Sequence, residues 1–248
     1  MGLFDFLGKK KGEPAPPKKA SIKEVARLER LVGNKLSQNY DRQEAIEELS
    51  KMASAESATA LLKRFNWSMD PSITDQEEKE SAAQGIAAAG EKALDPIRDY
   101  CKRAESLTWP LKVLKEIVAE ERYPEELLAL LDLFDTEYVR NAEPKVQLIH
   151  TLEAYPSEDV RVAVEPFLGD ASEPVRFTAV ASVFAMNDET SAPALVAALE
   201  EEESLRVKNR IAQGLSDRRW TIPEELRDAC RKGLPPDYAL AGEHVRRR

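Results

Sequence analysis

An all-α fold, built as one leading helix followed by about six antiparallel helix pairs, is what the 248-residue sequence predicts. Three observations point there. Apolar residues recur at three- and four-residue spacing through most of the chain. A first-helix pattern returns every 31–38 residues, the length of two short helices and their turns. Strong helix formers (Ala, Leu, Glu, Lys, Arg) dominate, and no stretch alternates like a half-buried strand for more than a few residues.

The leading helix is expected over about Ser21 to Val32, with Ser21 and Glu24 spaced as a capping box. First helices then carry a core stripe at positions 0, +3 and +7. The six stripes are Arg42-Ala45-Leu49, Glu80-Ala83-Ala87, Leu111-Leu114-Val118, Lys145-Leu148-Leu152, Arg176-Ala179-Val183 and Lys208-Ile211-Leu215. Second helices are read over 58–65, 93–101, 125–134, 160–168, 194–199 and 224–230. Pro110, Pro144 and Pro174 stand before first helices; Pro124, Pro193 and Pro223 open second helices, where a missing N–H removes no helical bond. Thr74 with Glu77 and Thr221 with Glu224 have capping-box spacing as well. A helix pair cannot bury its apolar face alone, so neighbouring pairs are expected to stack into one continuous core over residues 21–240.

Composition excludes several classes. No run of about eighteen apolar residues is present, so no transmembrane helix is expected. Two cysteines, Cys101 and Cys230, cannot build a disulfide framework and point to a reducing, cytoplasmic compartment. Both fall beside apolar residues and read as buried thiols. Two histidines, His150 and His244, allow no multi-histidine metal site, and His150 lies on the flank of its helix stripe. The sequence holds no phosphate-binding glycine loop, G-x-S-x-G elbow or H-E-x-x-H, and no cofactor is expected. Trp67, Trp109 and Trp220 fall between helices or at helix starts, where they are expected to wedge neighbouring units together; Trp220 follows Arg218 and Arg219 and gains weight as a surface residue.

Charge is unevenly placed. Residues 1–20 hold five lysines against two acids, and residues 204–248 hold eleven basic against six acidic side chains. The body between them, 21–203, carries twenty basic against thirty-seven acidic residues. Such a body argues against non-specific nucleic-acid binding and permits basic partners or head-to-tail self-association. The first residues place Leu3, Phe4, Phe6 and Leu7 ahead of Lys9, Lys10 and Lys11, then a stretch rich in Pro and Lys up to residue 20. That order reverses a signal peptide. It reads as an apolar hook on a flexible basic tether, able to dock on a partner's groove or weakly on an anionic membrane surface, at about 1.5–3 kcal/mol per buried side chain and about 1 kcal/mol per lysine. Residues 241–248 read as a basic tail.

The segment Glu173-Pro174-Val175-Arg176-Phe177-Thr178-Ala179-Val180-Ala181 resembles the opening helix of a HEAT-type repeat. Arg206-Val207-Lys208 repeats it, and Ser157-Glu158-Asp159-Val160-Arg161 imitates it locally. The resemblance spans roughly residues 40–235 and is looser in the first three units, where Glu80 and Leu111 replace the basic opener. It implies a right-handed α-solenoid of the bacterial scaffold type, a non-enzymatic adaptor for a protein partner, and carries no active-site residue across. In such solenoids second helices line the concave face, which makes Arg64, Arg98, Lys102, Arg161 and Arg227 candidates for binding an acidic peptide or phosphate-bearing ligand; Arg218, Arg219 and Trp220 of the basic final unit join that candidate surface. The competing reading balances these cations locally against acids such as Asp95, Asp99, Glu158 and Asp228. The alternative function is an enzyme on the same scaffold, of the alkylpurine DNA glycosylase or bilin lyase type. The glycosylase version needs an acid beside an aromatic, and Trp109 is followed at three and four residues by Lys112 and Val113.

Overall fold

The computed structural model describes residues 22–248. The apolar hook and tether, including Leu3, Phe4, Phe6, Leu7 and Lys9 to Lys11, therefore lie outside the described residues, as does the Ser21 cap. Among the described residues the protein is all-α apart from one terminal hairpin. Among the described residues there are thirteen α-helices: α1 (Ile22–Gly33), α2 (Asn39–Met52), α3 (Ala55–Leu62), α4 (Ser72–Ala87), α5 (Leu94–Cys101), α6 (Thr108–Ile117), α7 (Tyr123–Leu131), α8 (Glu143–Leu152), α9 (Glu158–Val164), α10 (Glu173–Met186), α11 (Ala192–Glu201), α12 (Leu205–Arg218) and α13 (Arg227–Gly233). Five short segments of the described residues are 3-10 helices, among them Lys63–Asn66 after α3 and Glu165–Gly169 after α9.

Helices pack on close sequence neighbours. The leading helix α1 lies on α2 and α3; α2 lies on α4 and α4 on α6; α8 lies on α10 and α10 on α12. Among the second helices, α3 contacts α5, α7 contacts α9 and α11 contacts α13. The apolar residues of the expected stripes, from Ala45 and Leu49 to Ile211 and Leu215, are buried, with Ala87 half-buried against the same core. Each fully buried Leu or Ile contributes about 1.5–3 kcal/mol of transfer free energy.

Three of the four basic openers of the stripes have a structural job. Arg42, Lys145 and Arg176 each hold an acid of the next unit: Glu78 at 2.9 Å, Asp170 at 2.8 Å and Glu202 at 2.7 Å. Around Glu78 the pair grows into a buried network. Arg64 holds Glu78 and Asp75, both at 2.7 Å, Lys79 reaches Asp75 at 2.7 Å, and the Arg64 guanidinium lies 3.7 Å from the Trp67 ring centre. Charge pairing and hydrogen bonds together keep these desolvated ions tolerable.

Two sequence expectations are corrected. Thr74 lies inside α4, whose N-cap is Pro71, and Thr221 forms an isolated bridge with His244 rather than a cap. The side-chain caps instead come from Ser54, paired with Ser57 in a reciprocal box, and from Ser157 and Ser204. The stretch read as a basic tail, 241–248, is mostly strand: β1 (Tyr238–Ala241) pairs antiparallel with β2 (His244–Arg247). Gly242, at φ 65°, opens the two-residue turn, a backbone state that glycine adopts without a Cβ clash. Val245 is buried and β2 packs on α12, so burial of one valine fixes the hairpin. Four-residue strands are too short for alternation to reveal them in sequence.

Candidate functional site

The expected basic surface is not what the fold assembles. Arg64 is fully buried in the Glu78 network and cannot face a ligand. Trp220 is buried as well, with its ring 5.3 Å from Phe184. Arg98 grips Glu126 at 2.7 Å and Asp95 at 3.0 Å; the Glu126 hydrogen bond is the main reason its pKa rises. Lys102 pairs with Asp99, Arg227 with Glu243, and Arg161 with Glu165 and Asp188. Arg218 donates to the Phe184 carbonyl, and its pKa falls through burial and the nearby Arg210 charge. Exposed Arg219 caps α12 at φ 53°. Among the described residues no hydrogen bond joins these eight side chains to one another, and local ion pairing accounts for most of them.

The tryptophans behave as wedges. Trp109 stacks on Phe65 at 5.7 Å with planes 14° apart, and Lys112 lies 5.0 Å over its ring while pairing with Glu80. Cys101 and Cys230 are buried, which pushes their thiols up to about 12 and about 11. His150 is exposed beside Glu153. Among the described residues no three His, Cys, Asp or Glu side chains are placed to hold a metal.

What the fold builds instead is a groove of about 770 Å³ between α7 and α9. Its apolar lining includes Leu128, Leu131 and Phe134 from one wall and Val162, Pro166 and Phe167 from the other. Val162 is 55% exposed, and Leu128 and Phe134 are half-buried. Four carboxylates, Asp132, Asp135, Glu158 and Asp159, stand at the rim, and all four residues are exposed. Among the described residues none of them has a cation within ion-pair distance. Arg161 is next to Val162; its guanidinium pairs with Glu165 and Asp188 and reaches Glu158 only through a weaker charge interaction, which leaves Asp132, Asp135 and Asp159 without a cation.

The groove walls are fixed from behind. α7 is set by its first residue, Tyr123, whose hydroxyl donates to the Leu111 carbonyl at 3.2 Å; burial and Tyr155 push that phenol up to about 12. Ser157 caps α9 by accepting the Val160 amide. The loop after α7 meets the loop after α9 through the Ala171 amide and the Thr136 carbonyl at 2.9 Å. Lys145 ties the same two loops, donating to the Glu137 carbonyl at 3.0 Å and to Asp170 at 2.8 Å. Sequence reading missed this groove, although the second helix expected over 125–134 supplies one of its walls. The missed signal was that Asp132, Asp135 and Asp159 have no basic residue three or four positions away.

No family model matches the chain, and no curated protein does. One solved structure, described as "Computational Design of Self-Assembling Cyclic Protein Homooligomers", is similar at 14% identity over 85% of this chain and 80% of that chain, with a TM-score of 0.17. Among the described residues no helix is long and apolar enough to cross a membrane.

Proposed function

We propose that this protein is a non-enzymatic interaction adaptor, a HEAT-like right-handed α-solenoid that docks a polypeptide partner in the α7–α9 groove. One observation carries the reading: an open apolar cleft rimmed by four exposed carboxylates, none of them in an ion pair among the described residues. Exposed apolar surface beside unneutralised charge is what a docking site for a basic, apolar-anchored segment requires. Preformed walls lessen the ordering cost of binding. In this reading the chain works in the cytoplasm, and the Leu3–Leu7 hook with its lysines brings it to a membrane surface or a second protein.

The test compares affinity purification of full-length protein with an Asp132→Lys/Asp159→Lys variant of unchanged melting temperature. Partners recovered by the first and lost by the second are expected. Identical recovery from both would sink the adaptor reading of this groove.

A further inference from the structure

We propose that one occupant of the α7–α9 groove is a second copy of this chain, presenting its Leu3–Lys11 segment. This inference rests on the groove being a docking site. The argument uses the sequence of that segment and the geometry of the groove. Leu3, Phe4, Phe6 and Leu7 supply the large apolar side chains that a cleft lined by Leu128, Phe134, Val162 and Phe167 would bury. Lys9, Lys10 and Lys11 supply three adjacent cations for a rim whose Asp132, Asp135, Glu158 and Asp159 form no ion pair among the described residues. The segment thus pairs an apolar stretch, interrupted only by Asp5, with a run of cations, as the cleft pairs an apolar lining with an acidic rim. The wider charge map has the same polarity, because a net-positive first segment and an acidic body attract between copies while body repels body. The contact is head-to-tail, so it closes into a ring or continues into a chain of copies.

The test uses the full chain with a photo-crosslinking amino acid in place of Phe6, mixed with an equal amount of isotope-labelled protein. Crosslinks from one copy's position 6 to residues 128–136 or 158–167 of the other are expected, falling at least tenfold in Asp132→Lys/Asp159→Lys. Sedimentation should show association that weakens between 50 and 500 mM salt, following the screening of exposed charges over about 10 Å at 0.1 M. The neutral variant Asp132→Asn/Asp159→Asn should sit between wild type and charge reversal. Crosslinks confined to one copy, crosslinks to other surfaces, or a monomer at low salt and high concentration would each overturn the proposal. A monomer whose foreign partners are still lost on charge reversal retires self-engagement and leaves the adaptor reading standing. Unchanged partners and unchanged association in that variant retire both.

Discussion

The ammonium of Lys145 sits 2.8 Å from the carboxylate of Asp170, twenty-five residues away, and both side chains are at most 1% exposed. This pair joins the first helix of one unit to the loop that opens the next. Its lysine also holds the Glu137 carbonyl, so the same ion pair braces the loop beside the α7–α9 groove.

Lys145→Met should leave the buried Asp170 without its ion-pair partner and destabilise the protein by about 3–5 kcal/mol. The double variant Lys145→Met/Asp170→Leu should lose clearly less, because no uncompensated charge remains. Urea denaturation of the two variants checks this. A double variant as unstable as the single one would show that the pair is not what holds the loops.

Acid should weaken the fold through Asp75 and Glu202. Burial raises both pKa values, but hydrogen bonds and charges from Lys79 and Arg64 on Asp75, and from Arg176 on Glu202, outweigh it and hold them below their ordinary 3.8 and 4.5. The unfolded chain then binds more protons than the native one, so this stability is complete above the ordinary values and is lost as pH falls through the lowered ones. Melting temperature measured from pH 7 to pH 3 should drop below about pH 4.5, with a shallower drop in Glu202→Gln.

Both cysteines should resist modification while the protein is folded. Thiolates are the reactive form, and burial pushes Cys101 and Cys230 up to about 12 and about 11. A thiol reagent at pH 8 should count no fast-reacting groups in native protein and two in denaturant. Rapid native labelling of either would place it at the surface.

Gly214→Ala should destabilise by about 1–3 kcal/mol, since the new methyl would overlap the Phe184 ring that packs there against Trp220. Gly169→Ala is the control: a Cβ there meets nothing within 4 Å. Thermal melts of the two should differ clearly, and equal melts would contradict the close approach of α10 and α12.

The helices were legible because burial of a helix face imposes a period that the sequence must carry. Ala45, Leu148 and Val183 lie where that period puts them, all buried. Capping was less legible. Thr74 and Thr221 have the right spacing, but a cap also requires that the chain enter the helix there, and Pro71 and the hairpin decide otherwise.

Arg42, Lys145 and Arg176 were visible as a recurring basic position, while their partners Glu78, Asp170 and Glu202 became visible only through folding. The groove belongs to the same class. Residues 128–136 and 158–167 are separate stretches whose apolar and acidic side chains become one surface only when α7 lies beside α9. By itself the sequence determined that the chain is helical and where its helices fall, because periodicity and proline placement act over a few residues. The tertiary structure alone decided which cations are spent on buried acids and which acids stay unpaired at a cleft. Electrostatic pairing and exposure depend on distances across packed elements, which no local pattern encodes.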